Sequence, residues 1–310
     1  MTALICGSMA FDTVMVFPGR FRDHILPDRI HLLNVSFLVP SMRRNFGGCA
    51  GNIAYNLGLL GGSGLPMATV GHDFGPYGKW LLDRGVDVSQ VRTVGGEFTA
   101  QGFITTDLDD NQITAFHPGA MSHSHLNDVG QVAGCTLGLV APDGRDGMVK
   151  HAAEFDAAGI PMLFDPGQGL PMFDGAELLD FVSKSTWIAV NDYEGQLLSE
   201  RTGLSHSEIA SKVRALIVTR GGEGSVIHAG GREHVIPAAT PAALVDPTGC
   251  GDAYRAGLIF GLMNGLDWET TGRVASLMGA IKIASAGTQL HGFSMDEFRD
   301  RYRAAFGRAL

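Results

Sequence analysis

Cysteines are scarce in this sequence and lack the spacings that thiol chemistry usually requires. The 310 residues include four, with no CxxC pair among them: Cys6, Cys49, Cys135 and Cys250. A disulfide framework and a zinc site built from thiolates are therefore not expected. Basic residues are also in the minority, with 23 Lys and Arg against 32 Asp and Glu and a formal net charge of −9. Because nucleic-acid binding needs a clustered basic surface, no nucleic-acid partner is predicted.

Long apolar runs are missing as well. No stretch reaches the roughly 18 consecutive apolar residues of a membrane span. The N-terminal sequence MTALICGSMAFD has no basic region ahead of its apolar residues, so it does not resemble a signal peptide. We therefore expect a protein of a reducing compartment, with the cytoplasm as the default location and no membrane partner.

What the sequence does contain is an alternation of short apolar runs with amphipathic stretches. Helical spacing of apolar residues is clear at 49–60, directly after a Gly-Gly pair. The alternation predicts an α/β fold with a central, mostly parallel sheet that helices cover on both faces. Ligands bind such sheets at the carboxyl ends of the strands. Runs with the length of buried strands occur at 3–6, 68–70, 137–140, 162–165, 187–190 and 216–219.

Two segments interrupt this alternation, at 14–46 and 99–117. The first includes the extended, largely apolar stretch 31–39, and the second contains two extended stretches around the turn-rich residues 108–111. We predict a single domain over residues 1–310, with a small β-sheet lid contributed by these two segments. Two long surface hairpins are the alternative.

The most informative stretch is Asp246–Asp252, a glycine-rich loop with the sequence DPTGCGD that leads into an apolar helical segment. Backbone amides at the start of a helix are free, and the helix dipole favours negative charge there, so the loop predicts an anion site. The side chain of Asp252 has two interpretations. It caps the helix, or it is a base beside the anion site, as phosphoryl transfer to a hydroxyl requires.

Three further elements also have both a structural and a functional interpretation. Phe46–Asn52 is a second glycine-rich start of a helix, which is either a tight turn or a ligand contact. Asn191 and Glu194 have the spacing of a helix cap and are also suited to orient water bound to a metal. Thr219–Gly224 is a glycine turn between apolar strands, which is a hairpin if nothing binds there.

Together these four elements resemble the PfkB carbohydrate-kinase (ribokinase-like) family along essentially the whole chain. Gly47–Asn52 resembles the N-terminal GG…N signature, and Asp246–Asp252 the highly specific C-terminal DxTGxGD signature. Asn191–Glu194 looks like the NxxE motif of the family, and Thr219–Gly224 like its glycine turn on the nucleotide side. The resemblance implies a ribokinase-like α/β fold and phosphoryl transfer from ATP to an alcohol.

The resemblance also implies a role for each matched residue on the catalytic and substrate side. Asp252 would take the proton from the acceptor hydroxyl. Asp12 would bind hydroxyl groups of the substrate. Backbone amides would form the anion hole for the γ-phosphoryl group at Gly249, Cys250 and Gly251. The same sugar would be held by Gly47, Gly48 and Asn52.

On the nucleotide and metal side, the resemblance implies two ions besides ATP. Glu194 and Asn191 would order water around Mg²⁺ near the phosphates. Many members of the family also bind K⁺, for which this chain offers Asp246, Thr248 and Gly287. The ATP-binding residues would be Asn191, Thr219, Gly221, Gly224 and, beside the adenine, Lys282.

This sequence departs from the pattern of the sugar kinases at positions that bear on the expected class of substrate. Cys49-Ala50 stands where ribokinases commonly have Lys-Gly, and the segments of the predicted lid look closer to prokaryotic nucleoside kinases of this family. A purine ring needs a wider and more apolar compartment than a free sugar. For each phenylalanine of the predicted lid, the alternative role is to pack in the core of the lid. Candidate contacts to the base are Phe37, Phe46, Phe103, Phe116, Asn45, Gln101 and Gln168.

The sequence as a whole therefore predicts an ATP-dependent kinase that phosphorylates the 5′-hydroxyl of a purine nucleoside such as adenosine or inosine. A ribokinase- or fructokinase-like sugar kinase is the alternative enzyme. A nucleoside-binding protein without catalysis is the alternative of another class, which the intact Asp252 and its glycine-rich loop disfavour. We expect a nucleoside and ATP as the partners and a homodimer formed through the lid.

Overall fold

A computed structural model describes residues 1–25, 34–109 and 111–310. The described residues form two β-sheets, one of nine strands and one of four. Numbered along the chain, the strands are β1 (Thr2–Cys6), β2 (Ala10–Val16), β3 (Ser41–Gly47), β4 (Ser63–Val70), β5 (Val91–Thr93), β6 (Ala100–Thr106), β7 (Gln112–His117), β8 (Cys135–Val140), β9 (Met162–Phe164), β10 (Trp187–Asn191), β11 (Ala215–Thr219), β12 (Ser225–Ala229) and β13 (Arg232–Ile236).

The α-helices alternate with the strands of the larger sheet over most of the chain. In the described ranges they are α1 (Cys49–Leu59), α2 (Gly75–Leu82), α3 (Arg145–Ala157), α4 (Gly175–Lys184), α5 (Asp192–Thr202), α6 (His206–Lys212), α7 (Cys250–Met263), α8 (Trp268–Ile283) and α9 (Met295–Phe306). None of these helices is long and apolar enough to cross a membrane.

The larger sheet, which we call the main sheet, has the strand order β13-β12-β11-β10-β9-β8-β1-β4-β5. Its pairs from β5 to β11 are parallel, and β12 and β13 add an antiparallel hairpin at one edge. Each of the six apolar runs singled out in the sequence lies in or overlaps a strand of this sheet. The predicted mostly parallel α/β fold is therefore confirmed.

The alternating sides of β1 show why a continuous apolar run was needed there. Ala3 and Ile5 pack in a buried cluster with residues of α1, α2 and α7. Leu4 and Cys6 point to the other face and join a cluster with α3 to α6. A strand covered by helices on both faces needs apolar residues at every position, because neither side meets water.

The four-stranded sheet, which we call the small sheet, has the order β3-β2-β6-β7. Its central pair β2–β6 is parallel, and the outer pairs are antiparallel. The two excursions from the alternating pattern do supply these strands, although β2 begins at Ala10, ahead of the expected start at 14. A small sheet separate from the main sheet was predicted and is confirmed.

The prediction of a strand at 31–39 is wrong for the residues that the structure describes. Residues 34–39 contain no strand, and residues 31–33 lie outside the described residues. Phe37 instead packs its ring against Phe17 and Phe21, with centroids 4.8 and 5.0 Å away. Phe37 therefore belongs to an aromatic cluster in a loop, which a pattern of residue types does not distinguish from a strand.

Candidate active site

The loop from Asp246 and the first turn of α7 form the candidate phosphate site. Gly249 is the N-cap of α7 and has the positive φ of 78°, which favours glycine because it has no Cβ. The amides of Gly249 and Gly251 have no protein acceptor within the described ranges, whereas the amide of Cys250 donates to the Pro247 carbonyl at 3.2 Å. Of the three amides predicted for the anion hole, two are therefore free in this structure.

The Asp252 carboxylate does not cap α7, because the cap is Gly249 and Asp252 accepts a hydrogen bond from another helix. The side-chain amide of Asn52, on α1, donates to Asp252 Oδ2 at 2.7 Å. The oxygen of the same amide accepts from Gln289 Nε2 at 2.9 Å. Asn52 is almost fully buried. The structure thus brings the residue predicted to hold the sugar into contact with the predicted base.

A chain of hydrogen bonds continues from Gln289 to the small sheet. Gln289 Nε2 also donates to the Tyr77 hydroxyl at 2.6 Å, and this hydroxyl donates to the Gly47 carbonyl at 2.9 Å. These bonds fix which way the Asn52 amide points, since its oxygen must face the Gln289 donor. The NH₂ group of Asn52 is therefore directed at Asp252.

Arg255, one turn after Asp252 on α7, is a site residue that the sequence analysis missed. Its guanidinium forms a bidentate pair with Asp165, with Nε–Oδ2 and NH2–Oδ1 distances of 3.1 and 3.0 Å. Glu194 Oε2 lies 3.9 Å from the same group. Arg255 and Asp165 are both about 95% buried. A signal was present, because Asp252 and Arg255 are the two charged residues of an otherwise apolar helix.

Burial raises the pKa of Asp252 to about 6, and the negative charge of Asp165 acts in the same direction. The hydrogen bond from Asn52 and the charge of Arg255 oppose this rise. A carboxyl group with a pKa just below neutrality is ionised at pH 7 and still basic enough to accept a proton. These surroundings suit a general base.

Asn191 and Glu194 form a complete capping box at the start of α5. Glu194 N donates to Asn191 Oδ1 at 2.7 Å, and Asn191 N donates to Glu194 Oε2 at 2.8 Å. Burial raises the pKa of Glu194, and the negative charge of Asp165 adds to the rise. The structural interpretation of the pair is thus realised, and it leaves Glu194 Oε1 free of protein donors within the described residues.

Asp12 lies on β2, facing the side of the small sheet that also carries Asn45 and Phe116. Asp12 pairs with Asn45 on β3 and with Gly102 on β6, and Gly102 pairs with Phe116 on β7, so all four positions face the same way. A side chain on Gly47 would collide with the Asp12 carboxylate, and a Cβ on Gly102 would lie 3.0 Å from it. The two glycines therefore leave room around this carboxylate.

The environment of Asp12 connects the small sheet with the phosphate loop. Burial raises the pKa of Asp12, and the negative charge of Asp246 adds to the rise. Asn45 also approaches that region, because a Cβ on Gly287 would lie 3.7 Å from Asn45 Cγ. Within the part of the chain that the structure describes, no protein group donates a hydrogen bond to Asp12. Its carboxylate is available to a ligand.

Gln101 and Phe103 point to the opposite face of the small sheet, because they flank Gly102 and side chains alternate along a strand. Gln101 Nε2 donates to Asp73 Oδ2 at 3.3 Å. Phe46 is also on that face and stacks on Tyr77 with centroids 4.6 Å apart. These three side chains therefore lie on the face opposite Asp12, and their contact with a base stays a prediction. Alternation fixes their side once the register with β2 is known, and the sequence alone did not supply the register.

Gln168 and Gly48 also have defined places around the site. Gln168 is exposed in a short turn that follows β9, at the carboxyl edge of the main sheet. Gly48 is the N-cap of α1 with a φ of 87°, and a Cβ there would lie 2.6 Å from Met9 Cα. The glycine at 48 is thus required by a close backbone approach, whatever else it contacts.

The glycine turn on the nucleotide side forms the predicted hairpin between β11 and β12. Gly221 is exposed with a φ of 53° and open space around its Cα. Gly224 is buried, and a side chain there would collide with the Ile236 carbonyl. Thr219, at the end of β11, donates to the Val190 carbonyl at 3.4 Å. Gly221 and Thr219 can therefore line a ligand site, whereas Gly224 serves packing.

The side chain of Lys282 is directed into the protein interior. Its side chain is completely buried, and Nζ donates to the main-chain carbonyls of Asp246 and Ser285 at 2.7 and 3.1 Å. The Lys282 side chain therefore has no surface to offer to adenine, and the prediction that residues 282–287 flank adenine stays a prediction. A lysine near the end of a helix is usually exposed, and nothing in the local sequence indicated that this one is buried.

The site combines a helix start with free amides, a carboxylate beside it and a second carboxylate on a separate sheet. This combination is typical of a phosphotransferase that acts on a hydroxyl group. The chain belongs to the pfkB family of carbohydrate kinases, whose family model matches residues 10–293. The predicted family is thereby confirmed.

Nucleoside kinases are among the relatives with the highest sequence identity, beside sugar kinases of the same family. The chain is 30% identical to a nucleoside kinase of Methanocaldococcus jannaschii over 271 residues, which are 86% of this chain and 89% of the relative. It is 52% identical to the nucleoside kinase of Burkholderia thailandensis solved with inosine, with a TM-score of 0.90 over 99% of both chains. A second structure of that enzyme, with ADP-inosine, is 53% identical with a TM-score of 0.88 over 99% of this chain and 97% of the other.

The surroundings of Asp252 predict how kcat/KM depends on pH. The protonated carboxyl cannot accept a proton, so kcat/KM should rise as the pH rises through about 6 and level off above it. Asn52→Leu removes a hydrogen bond that lowers the pKa, so the rising part of the profile should move to higher pH. Protonation of ATP is common to both proteins and cancels in this comparison of initial rates.

The control for this prediction is Asp252→Asn, which keeps the shape of the side chain and removes the base. Its kcat should fall by roughly 10²–10⁴-fold at pH values above about 6, where the wild-type base is ionised, while acceptor binding measured by calorimetry persists. An Asp252→Asn protein that keeps more than about a tenth of the kcat would show that Asp252 is not the base. An Asn52→Leu profile that does not move upward would contradict the role assigned to Asn52.

Proposed function

We propose that this protein is an ATP-dependent nucleoside kinase that transfers the γ-phosphoryl group to the 5′-hydroxyl of a purine nucleoside. The observation that carries the proposal is the Asp252 carboxylate, held by Asn52 at the start of α7 beside the free amides of Gly249 and Gly251. Membership of the kinase family and the similarity to enzymes solved with inosine and ADP-inosine support it.

In the proposed reaction, the chain positions two reactants and moves one proton. Asp252 accepts the proton of the 5′-hydroxyl as its oxygen attacks the γ-phosphorus. The amides of Gly249 and Gly251 bind the oxygens of the transferred group, where negative charge is concentrated, and the dipole of α7 adds to this stabilisation. Arg255 supplies one positive charge beside the carboxylates of Asp165, Glu194 and Asp252. Its pair with Asp165 holds α7 against the end of β9.

The residues at the start of α5 fit the Mg²⁺ that accompanies ATP in such reactions. Mg²⁺ prefers oxygen ligands and keeps several of its waters, and Glu194 Oε1 is free to accept hydrogen bonds from such waters. When bound, the ion would neutralise charge on the phosphates. Glu194 would hold it through water, with Asn191 fixing the Glu194 carboxylate through the capping box.

The Asp12 side of the small sheet supports a nucleoside as the acceptor. Asp12 accepts hydrogen bonds from the ribose hydroxyls, with Gly47 and Gly102 leaving the space that a sugar needs. Phe116 and Asn45 lie on the same face and offer an apolar surface and an amide to the base. In this role the small sheet forms a lid that excludes water from the transferred phosphoryl group. The cytoplasmic location stays a prediction from the sequence.

A substrate panel tests the acceptor class. Inosine and adenosine should be phosphorylated with a kcat/KM at least about tenfold above that of ribose or fructose, because binding energy from the base orients the 5′-hydroxyl. The measurement is ADP release with each acceptor, with product identity checked by mass spectrometry. Ribose or fructose used as efficiently as inosine would favour the sugar kinase. Thermal stabilisation by inosine without ADP release would favour the binding protein.

A second prediction concerns Asp12 and the ribose hydroxyls. Asp12→Ala should raise the KM for inosine strongly, because it leaves two substrate hydroxyls without an acceptor. With 2′,3′-dideoxyinosine the same substitution should have a much smaller effect, since those hydroxyls are absent. Comparing kcat/KM for both substrates and both proteins gives a coupling free energy. A coupling free energy near zero would remove Asp12 from the sugar site.

The face of the small sheet that lies opposite Asp12 supports a homodimer. Met42, Phe103 and Ile113 share this face and are 68%, 40% and 44% exposed. Exposed apolar side chains on one face of a sheet are typical of an interface, and a symmetric pair of small sheets would cover them.

This homodimer predicts a change of mass in solution. Wild-type protein should sediment as a dimer at equilibrium, and Phe103→Lys should shift it towards the monomer because it places a charge in an apolar interface. Leu82→Lys is the matched control, since Leu82 is an exposed apolar residue on α2. Wild-type protein that sediments as a monomer would rule out the dimer, and a dimer unaffected by Phe103→Lys would rule out this face.

A further inference from the structure

The buried ammonium group of Lys282 lies directly behind the phosphate loop. Lys282 is in the last turn of α8 and has no exposed surface. Nζ donates to the carbonyls of Asp246, at the start of the loop, and of Ser285, just after the helix. A charged amine in such a place needs counter-charges. Burial lowers the pKa of Lys282, and the negative charge of the Asp246 carboxylate, which supplies one such counter-charge, opposes this decrease.

The bonds around Lys282 fasten the loop before α7 to the turn after α8. Asp246 Oδ1 accepts from Thr248 N and Oδ2 from Gly287 N, both at 2.9 Å. The amide of Asp246 donates to the Ile283 carbonyl at 3.1 Å. The position of Gly249 and Gly251, which follow this loop, therefore depends on a junction with Lys282 at its centre.

The Lys282 ammonium group holds the junction at which the family resemblance implied a K⁺ ion with Asp246, Thr248 and Gly287 as ligands. Both carboxylate oxygens of Asp246 accept hydrogen bonds from amides. The main-chain carbonyl oxygens of Asp246 and Ser285 accept hydrogen bonds from Lys282 Nζ. A positive charge of the protein itself therefore lies at this place.

We propose that the ammonium group of Lys282 replaces a bound monovalent cation in this protein, so that the phosphate loop is set in its working position without K⁺. The inference rests on the proposed kinase function. A helix C-terminus leaves carbonyl oxygens unpaired and carries partial negative charge, which a cation compensates. A covalently attached ammonium group compensates this charge at any salt composition, because it does not dissociate from the protein as a bound ion does. Lys282 is in this sense a positioning residue.

The first test is the cation dependence of the wild-type protein. Nucleoside phosphorylation is measured in tetramethylammonium buffer with the tris salt of ATP and MgCl₂, and tetramethylammonium chloride is then exchanged for KCl at constant ionic strength. The rate should change by less than about twofold, since screening of surface charges is held constant. Activation by K⁺ several-fold beyond this would overturn the proposal, whereas absence of activity in every salt would contradict the kinase function itself.

The second test uses two variants that differ in the space they leave. Lys282→Ala opens room for a cation, and its kcat without K⁺ should fall by roughly 10- to 100-fold because the loop is misplaced. K⁺ should restore much of this loss and should raise the melting temperature of the variant, a readout that needs no turnover. Lys282→Met removes the charge but fills the space, so K⁺ should restore neither activity nor stability.

The matched control is Lys150→Ala. Lys150 Nζ also donates to two main-chain carbonyls, those of His125 and Asn127, on the other side of the main sheet. Its loss should lower the melting temperature with no response to K⁺. The proposal is overturned if Lys282→Ala is fully active without K⁺, if K⁺ restores neither its kcat nor its stability, or if Lys282→Met or Lys150→Ala responds to K⁺ equally.

Discussion

The buried ion pair between Arg255 and Asp165 is the interaction on which the arrangement of the site depends. It joins the helix that carries the base to the carboxyl end of a central strand, and Glu194 approaches the same guanidinium. A buried pair contributes little net stability compared with apolar residues of equal volume, but removing one partner leaves an uncompensated charge. Here the uncompensated groups would be carboxylates next to Asp252. The ion pair therefore fixes the place of α7, and its two charges act in opposite directions on the pKa of Asp252, which burial raises.

Besides this ion pair, a chain of hydrogen bonds between neutral groups connects Asp252 to the small sheet. Asn52, Gln289 and Tyr77 link the carboxylate to the carbonyl of Gly47, which ends β3 two residues after Asn45. Because Gln289 donates to both neighbours, none of these groups can rotate without losing a partner. The orientation of the base thus depends on the position of the strand beside Asp12. In the proposed enzyme, the groups for the acceptor sugar and the base belong to one hydrogen-bonded unit.

The fold and the chemical elements of the site were predictable because they depend on local patterns. Apolar runs of strand length gave the main sheet, and the glycines of DPTGCGD gave the phosphate loop. The partners of Arg255 and Lys282 were not predictable. Asp165 meets Arg255 through the packing of elements that are distant in sequence, and Ser285 meets Lys282 through the turn that follows α8. For Gln101 and Phe103 the missing quantity was the register between β6 and β2, as a shift of one residue moves every side chain to the other face.

The two buried cationic side chains around α7, Arg255 and Lys282, have the same physical role. Arg255 compensates the carboxylates on one side of the helix start, and Lys282 compensates the carbonyls and the Asp246 carboxylate behind it. Neither is exposed, so both act at short range in a medium that screens weakly. A phosphate cradle made of backbone amides carries no formal charge of its own, and its strength depends on amides held in fixed directions. Fixed cations that bind the surroundings of the cradle, rather than the phosphate, keep those directions constant while leaving the amides free.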